Sequence, residues 1–520
     1  MSCSGAKPHI TAIDPHIGMT GQILTIMGED FGDVQDESFV TIGGVIPTRS
    51  SYRKWSDNAI VVVVPDFGES GLIYVNKENQ KSNPVLFSIK DAMPEFSGKT
   101  ANNNPVIRQI SPSSAAIGQL ITISGNGFGK KEDNNAVFFS WSAEKSSQAH
   151  DDGRPLLISA NAGDNNYESW EESEIKVYVP DGASSGLIEV HNGSTVSNAV
   201  VFEVSPKPGT KTINNKKTYS IVYSVDVRVD KADTPNTLYL WMPKPLSSAS
   251  QINKELLSSN VNAFIPNYRG ASLFRLTGIE NKFARQISVS YLVDVYSTSV
   301  SVDAESVKRS TSNVVKTWLL PSALIPSDNA EIKEFAGSIS KTTNPYQKAR
   351  DIYLAMLNQF KITAEPQSGG ALDAMLSKTA DSYQAALLYC ALCRASGIPS
   401  VPAAGALVDN GRQSIPHYWV EFWVDSLGSV PVDPALGFGA APPAFSLRED
   451  HRDFYFGSMD NQHIAFSRDE TILSQMAVSG RITSRERTYA LQNIWEEASG
   501  GLSSYSTHWS DIGIIGVYSN

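Results

Sequence analysis

Alternating apolar and polar residues recur along the amino-terminal part of the chain and then give way to a helical period. Segments such as Gln22–Met27 and Ile175–Val179 have a period of two, and glycines separate such segments at turns. This pattern predicts half-buried β-strands. After Pro326 the apolar residues follow a helical spacing over Ala330–Ser338 and Tyr346–Phe360. We therefore expect strand-rich domains followed by a unit that contains helices.

A longer apolar helix is predicted over Ser382–Ser396, with Gly397 as its cap and Pro399 as a stop. Three strands are expected to follow it, at residues 401–408, 417–424 and 429–433. A helix that leads into a small antiparallel sheet is the papain-like arrangement, in which the nucleophile lies on the helix and the base and acid lie on strands.

One module occurs twice in the amino-terminal half. The run Gly21–Gly28 (GQILTIMG), followed by Phe31-Gly32, returns as Gly118–Gly125 (GQLITISG), followed by Phe128-Gly129. Short strands at this spacing predict a β-sandwich of roughly 100 residues. The pattern resembles the IPT/TIG family of immunoglobulin-like modules. The resemblance implies two modules that space or present the carboxyl-terminal domains, with sugar or protein binding as the alternative role.

Three separated motifs in the carboxyl-terminal half share a second resemblance. The segment Ala391–Pro399 (ALCRASGIP) is similar to a signature of the bacterial transglutaminase-like superfamily. The base motif of that family is matched by His417–Glu421 (HYWVE), and its acid motif by Val430–Pro434 (VPVDP). The resemblance implies a transglutaminase-like core that cleaves an amide or transfers an acyl group in its active members.

The resemblance also implies a catalytic set at Ser382, His417 and Asp433, in which the family has Cys at the first position. A helix amino terminus and an imidazole together lower the pKa of a thiol, and the carboxylate holds the imidazole in the right tautomer. A serine hydroxyl has no accessible anion, so we expect a large loss of activity. Cys390 and Cys393 lie roughly 12 and 16 Å farther along the helix and are expected to be buried structural residues.

Three functional interpretations stay open. The first is a non-catalytic or divergent domain that binds peptide, protein or glycan in the former active-site cleft. The second is a hydrolase or acyl transferase that acts on amide bonds through Ser382, His417 and Asp433. The third is a purely structural surface protein. None of them calls for a cofactor or a metal ion.

The composition of the chain limits the classes of partner that we expect. The chain has 43 Lys and Arg against 54 Asp and Glu, a formal net charge of −11, and no basic stripe, so nucleic acid is not an expected partner. No apolar run approaches the ~20 residues that span a bilayer. The start Met1-Ser2-Cys3 resembles the lipidation site of bacterial lipoproteins. We therefore expect a place in the cell envelope, periplasmic or surface-exposed, with membrane attachment only through a lipid on Cys3.

These observations predict a multidomain chain: two immunoglobulin-like β-sandwiches, then a β domain and an α+β core that is papain-like or transglutaminase-like. The last part shows a short helical pattern, and the sequence assigns it no function. The expected parts are a tail at 1–8, β-sandwiches at 9–90 and 105–205, a linker at 91–104, a β-rich domain at 206–325, the core at 326–480 and a carboxyl-terminal segment at 481–520.

Overall fold

The computed structural model describes residues 7–65, 71–77, 80–89, 104–132, 134–143, 156–160, 166–205 and 208–519. Contacts divide the chain into two units, Met1–Asn102 and Asn103–Asn520. Cys3 and almost all of the predicted linker at 91–104 lie outside the described residues. In the described part, no helix has both the length and the apolar character needed to cross a membrane.

The first unit is a β-sandwich with strands β1 (His9–Asp14), β2 (Ile17–Gly18), β3 (Ile23–Glu29), β4 (Phe39–Ile42), β5 (Tyr52–Ser56), β6 (Ala59–Val63), β7 (Gly71–Lys77), β8 (Gln80–Lys81) and β9 (Val85–Ile89). One sheet has the order β1-β3-β6-β5, and the other has the order β2-β9-β7-β4 with β8 beside β7. Alternation along β3 buries Leu24 and Ile26 between the sheets and leaves Ile23 and Met27 exposed. The predicted sandwich is therefore present.

The second module repeats this plan with strands β10 (Val106–Ser111), β11 (Ser114–Ala115), β12 (Leu120–Asn126), β13 (Ala136–Trp141), β14 (Leu157–Ser159), β15 (Tyr167–Trp170), β16 (Glu174–Tyr178), β17 (Ala183–Asn192), β18 (Thr195–Val196) and β19 (Val200–Val204). Its sheets have the orders β10-β12-β16-β15 and β11-β19-β17-β13-β14, with β18 beside β17. The first of these sheets corresponds strand by strand to β1-β3-β6-β5.

A tryptophan–phenylalanine contact accounts for part of the sequence repeat. The indole Nε1 of Trp55 donates to the carbonyl oxygen of Phe31 at 3.2 Å, and that of Trp170 donates to the carbonyl oxygen of Phe128 at 3.1 Å. Both phenylalanine rings are fully buried. The same hydrogen bond therefore closes the same loop over the core in both modules.

The glycines of the repeated motif allow two strands to approach closely. A Cβ atom on Gly28 would lie 2.1 Å from the carbonyl oxygen of His9, and one on Gly125 would lie 2.0 Å from that of Val106. The pairing of β1 with β3 shifts register next to Gly28, and the pairing of β10 with β12 shifts register next to Gly125. A side chain at either position would separate the strands.

Residues beyond the second module form the long strands of a β domain: β20 (Gly209–Lys231), β21 (Asn236–Pro243), β22 (Gln251–Ser259), β23 (Ile265–Tyr268), β24 (Ala271–Thr277) and β25 (Phe283–Val302). Strands β20 and β25 pair antiparallel along nearly their whole length. Most of the apolar residues of β20 and β25 face one buried cluster, because side chains alternate between the two faces of a strand.

The α+β core comprises α1 (Ala330–Ile339), α2 (Pro345–Gln359), β26 (Lys361–Ile362), α3 (Ala371–Ser377), β27 (Thr379–Ala380), α4 (Ser382–Ala395), β28 (Ser400–Val408), β29 (Ser414–Val424), β30 (Gly428–Val432), α5 (Pro434–Phe438), α6 (His451–Phe454), β31 (Ser458–Met459) and β32 (His463–Arg468). The three predicted helices are confirmed to within one residue at each end, and the three predicted strands are present. Asparagine caps start α1 and α2, where Asn329 and Asn344 accept backbone N–H groups. The sheet has the antiparallel order β30-β29-β28-β32.

The carboxyl-terminal segment completes the β domain. It contains β33 (Arg481–Thr483), β34 (Glu496–Gly500), β35 (Ser504–Trp509) and β36 (Gly513–Ser519). Strands β35 and β36 pair with β20, and β34 pairs with β21. The expected short helix is wrong, because β34, β35 and β36 find strand partners more than 200 positions away along the chain, which a local pattern does not reveal.

The second module shares a buried junction with the β domain and the core. The Nε1 of Trp141 donates to the carbonyl oxygen of Ala249 at 3.1 Å, and its ring lies 5.0 Å from that of Tyr296. Trp423 of β29 belongs to the same apolar cluster. This module is therefore part of one folded body with the β domain and the core, in addition to any spacing role.

A buried ion pair links the same three parts. The Nζ of Lys211 lies 2.6 Å from Oδ1 of Asp181, and both the backbone N–H and the hydroxyl of Ser429 donate to Oδ2. Burial alone would raise the pKa of Asp181, but Lys211 and Ser429 outweigh it and hold this pKa below its usual value. The side chain of Lys211 is only 3% exposed, so this ion pair has little contact with water.

We expect Asp181→Ala to lower the free energy of unfolding by about 3 kcal/mol or more, because it leaves the Lys211 ammonium buried without a partner. Urea unfolding followed by tryptophan fluorescence measures this. The matched control is Glu174→Ala, which removes an exposed pair with Lys176 (3.7 Å) and should change stability by no more than about 0.5 kcal/mol. Equal unfolding midpoints for the two variants would show that the junction does not depend on this ion pair.

Candidate active site

The amino end of α4 is defined by a side-chain cap. Asp381 accepts hydrogen bonds from the backbone N–H of Gln384 at 2.9 Å and of Gln367 at 2.8 Å, and Gln384 returns a side-chain contact to the N–H of Asp381. This capping box fixes where the helix begins. Ser382 is the first helical residue and is half-buried. The structure thus places it at a helix amino terminus, as expected.

His417 and Asp433 form a buried pair. His417 lies on β29, Asp433 follows β30 directly, and Nε2 of His417 is 2.6 Å from Oδ2 of Asp433. The other carboxylate oxygen, Oδ1, accepts the backbone N–H groups of Ala435 and Leu436, both at 2.9 Å, and so caps α5. Both side chains are almost fully buried. The spacing of 16 residues between them therefore corresponds to a real contact.

A second histidine, which sequence reasoning missed, joins this pair. Nε2 of His463 lies 3.2 Å from the same Oδ2 of Asp433, and its Nδ1 lies 2.9 Å from Oδ1 of Asp460. The hydroxyl of Tyr455 donates to the other oxygen of Asp460 at 2.8 Å. The only signal in the sequence was a polar residue at the start of the apolar strand β32. It belongs to none of the matched motifs.

The two carboxylates set the charge state of His463. Burial by itself would lower the pKa of His463, but Asp460 and Asp433 outweigh it and raise this pKa to about 9. Burial likewise works to raise the pKa of Asp433, and His417 and His463 together hold it well below its usual value. At neutral pH the cluster therefore contains an imidazolium at His463 between two carboxylates.

Ser382 does not join the cluster through a hydrogen bond. Among the described residues, no hydrogen bond connects its Oγ to either ring nitrogen of His417. Helix α4 packs against the face of β29 that carries Tyr418, Val420 and Phe422, which share its apolar cluster. His417 alternates with these residues along the strand. The structure thus brings His417 and Asp433 together and leaves the serine hydroxyl outside their hydrogen-bond network.

The carboxyl-terminal segment lies over the amino end of α4. The guanidinium of Arg487 forms an ion pair with Asp381, donates to the carbonyl oxygen of Gly369 at 2.8 Å and lies 4.6 Å from the centre of the Tyr383 ring. Nearby, the hydroxyl of Tyr418 donates to the carbonyl oxygen of Thr488 at 2.5 Å. Both residues that flank Ser382 are thereby in contact with this segment.

The two helix cysteines are buried, as expected. Burial raises the pKa of Cys390 to about 11 and that of Cys393 well above its ordinary value. The Sγ of Cys390 contacts the hydroxyl of Ser400 at 3.3 Å. Thiols with raised pKa values have little thiolate at neutral pH, so neither substitutes for a nucleophile at Ser382.

The cluster also has the composition of a metal site. Ligand atoms of His417, Asp433 and His463 lie within 4.8 Å of one another, and two imidazoles with one carboxylate are a set that can bind a divalent transition metal. The Nε2 atoms of both histidines contact Oδ2 of Asp433.

Comparison with known families agrees with this architecture. Residues 333–434 match the transglutaminase-like superfamily, and residues 8–89 and 105–204 each match the IPT/TIG domain. The chain therefore combines two immunoglobulin-like IPT/TIG domains with a transglutaminase-like core, and both resemblances noted in the sequence are confirmed. No curated protein matches the chain.

Solved structures with similar parts include three bacterial proteins. A putative cysteine protease from Cytophaga hutchinsonii is 15% identical (TM-score 0.39), with 60% of this chain and 93% of that one covered. The periplasmic domain of TgpA from Pseudomonas aeruginosa is 14% identical, with a TM-score of 0.24. The match covers 42% of this chain and 87% of that one. The surface glycan-binding protein PbSGBP-B from Prevotella bryantii is 11% identical, with a TM-score of 0.19. The match covers 56% of this chain and 92% of that one. At these TM-scores the likenesses support no further conclusion.

The raised pKa of His463 predicts a specific pH dependence of stability. A group whose pKa is higher in the folded than in the unfolded protein stabilises the fold fully below its unfolded pKa, and this contribution disappears as pH rises through the folded pKa. Between about pH 6.5 and pH 9 we therefore expect stability to fall by about 3 kcal/mol. Urea unfolding at a series of pH values in this range measures the change.

The control for this prediction is a pair of histidine variants. His463→Gln should remove most of the pH dependence, whereas His508→Gln, which changes an exposed histidine, should keep it. If the wild-type and His463→Gln curves fall in parallel over this range, the assignment of a buried imidazolium at His463 is wrong.

Proposed function

We propose that the transglutaminase-like domain is divergent and non-catalytic, and that the protein binds a peptide, protein or glycan at the former active-site cleft. The observation that carries this proposal is the state of Ser382. By the family resemblance its hydroxyl stands where active members have a thiol, and among the described residues it makes no hydrogen bond to the expected base, His417.

The physical difference between oxygen and sulfur supports this proposal. A helix amino terminus beside an imidazole can hold a thiolate, because a thiol ionises near neutral pH in such surroundings. A serine hydroxyl reacts only when a base removes its proton during the attack. Without a hydrogen bond from Ser382 to His417, that proton has no direct acceptor.

A second histidine shares the carboxylate of Asp433 with His417. General base catalysis turns the imidazole into an imidazolium, which the partner carboxylate stabilises. Here Oδ2 of Asp433 already accepts a hydrogen bond from a charged His463, whose ring centre lies 5.4 Å from that of His417. His417 and His463 therefore share one carboxylate oxygen, whereas in a catalytic pair the carboxylate serves the base alone.

The proposal places the protein in the cell envelope, periplasmic or surface-exposed. Two immunoglobulin-like modules in front of the core suit an extracytoplasmic binding protein, and Cys3 offers a site for a lipid anchor. With a net charge of −11 and no basic stripe, a nucleic-acid partner is not proposed. Membrane attachment would depend on the lipid alone.

A fluorophosphonate probe tests the chemical half of the proposal. We expect no labelling of Ser382, because the probe reacts with serine hydroxyls that a neighbouring base activates. The readout is mass-spectrometric mapping of labelled peptides, with Ser382→Ala as the background control. Labelling of Ser382 that is lost in His417→Ala would establish an active serine and overturn the proposal.

Two substitutions at one position test the binding half. On arrays of envelope glycans and peptides, Ser382→Ala should bind like the wild type, since no reaction is required. Ser382→Trp should lose binding, because the indole would occupy the proposed binding cleft. Unfolding midpoints show whether the tryptophan variant is folded. Equal binding by both variants would place the ligand elsewhere on the molecule.

A second candidate is a hydrolase or acyl transferase that uses Ser382, His417 and Asp433. The 2.6 Å contact between His417 and Asp433 favours it, as does the Arg487 cation next to both neighbours of Ser382, which suits a developing oxyanion. Turnover of a casein and peptidoglycan-peptide panel that disappears in His417→Ala would support this candidate. Turnover that persists in that variant would exclude His417 as its base.

A further inference from the structure

A basic pocket opens at the far end of α4 from Ser382. Its volume is about 440 Å³, and four of its lining residues are cationic: Arg309, Lys333, Lys348 and Arg394. None of its lining residues is acidic. In a chain with more carboxylates than cations, a pocket whose charged lining residues are all cationic stands out from the rest of the chain.

Two of these cations form a buried floor. Lys348 is 8% exposed, and its ammonium donates to the carbonyl oxygens of Ala336 at 2.5 Å and Ser340 at 2.8 Å. An ammonium has three N–H donors, so one is left without a partner among the described residues. Arg394, 6% exposed, has its own partners, of which the carboxylate of Asp469 is 3.4 Å away.

Further polar groups at the pocket also lack partners. The hydroxyl oxygen of Ser396 is buried and makes no hydrogen bond in the described part of the chain. On the rim, the side chains of Arg309 and Lys333 make neither an ion pair nor a hydrogen bond with any described residue. A Cβ on Gly397 would lie 3.5 Å from the guanidinium of Arg309, so this guanidinium lies next to Gly397. A buried hydroxyl without a partner calls for a ligand or water.

We propose that the basic pocket binds an oxyanion, a phosphate or sulfate group carried by a larger ligand. The donors of Lys348 and Ser396 would bind its oxygens at the floor, and Arg309 and Lys333 would bind them from the rim. The volume exceeds that of a single phosphate, so the rest of the ligand would extend outward along the threonines Thr342 and Thr343.

Hydrogen bonds to the carbonyl oxygens at helix carboxyl termini do not explain why all four cations line the basic pocket. Lys341 and Lys348 donate to carbonyls at the end of α1, a common role for basic residues at a helix carboxyl terminus. Arg309 and Lys333 have no such partner among the described residues. Burial lowers the pKa of Lys348, and a bound anion would offset this unfavourable effect.

This inference goes beyond the proposed function, because the pocket and Ser382 lie at opposite ends of α4, about 20 Å apart for a helix of 14 residues. Binding at the pocket and labelling at Ser382 are therefore separate measurements. A failed oxyanion test leaves the cleft proposal standing, and an active Ser382 leaves the pocket proposal standing.

Isothermal titration calorimetry of the full chain with inorganic phosphate, inorganic sulfate and glucose 1-phosphate tests the pocket. We expect all three to bind, glucose 1-phosphate more tightly than inorganic phosphate, and acetate at the same ionic strength to bind more weakly. Absence of binding by phosphate and sulfate would overturn the proposal. Equal affinity for phosphate and its sugar ester would overturn the part that concerns a larger ligand.

Three variants locate the site. Arg309→Gln and Ser396→Ala should each weaken phosphate binding by about tenfold, the effect of one charge-assisted hydrogen bond. Lys308→Gln is the matched control, an exposed cation next to Arg309 that does not line the pocket, and should bind like the wild type. If Lys308→Gln weakens binding as much as Arg309→Gln, or Ser396→Ala has no effect, the anion is held by general surface charge and the proposed site is wrong. Unfolding midpoints confirm that each variant is folded.

Discussion

The buried carboxylate of Asp433 organises the site, because a charge removed from water has to be compensated by hydrogen bonds and cations around it. One of its oxygens accepts the two backbone N–H groups that begin α5, and the other accepts from His417 and His463. The positions of a helix, two strands and two imidazole rings all follow from this one group. A change at Asp433 would alter the fold and the site together.

The contact between His417 and Asp433 has a structural role that does not require catalysis. His417 and Asp433 satisfy one another in the core whether or not a nucleophile lies beside them, so the pair has a physical reason to be present in a chain with serine at position 382. The motif that identifies a transglutaminase-like core is therefore partly a packing motif. Catalysis would depend on the side chain at the amino terminus of α4, where this chain has the hydroxyl of Ser382.

Buried charge has a similar effect at the junction between modules. Asp181 of the second sandwich, Lys211 of the β domain and Ser429 of the core compensate one another in a place with little access to water. Such an arrangement tolerates only one relative placement of the three parts. It makes the second IPT/TIG domain a component of the folded body, although its sequence is that of a separate module.

Helix α4 then connects two different surfaces. Its amino end carries Ser382 under the Arg487 segment, and its carboxyl end borders the basic pocket at Ser396. Because the helix is buried along its length, it cannot move relative to the sheet without loss of packing. Ligands at the two ends would therefore meet a rigid element, and the inferred oxyanion would bind a preformed pocket.

The amino-acid sequence alone determined the elements whose information is local. Periodicity and caps located α1, α2 and α4 to within one residue, because helix hydrogen bonds and capping involve neighbours in the chain. The repeat likewise identified two sandwiches, and motif spacing paired His417 with Asp433. Tertiary structure decided what depends on distant partners. It brought His463 to Asp433, paired the carboxyl-terminal strands with β20 and β21, and placed Asp181 against Lys211. No local pattern encodes these contacts, since each is set by which surfaces meet once the chain has folded.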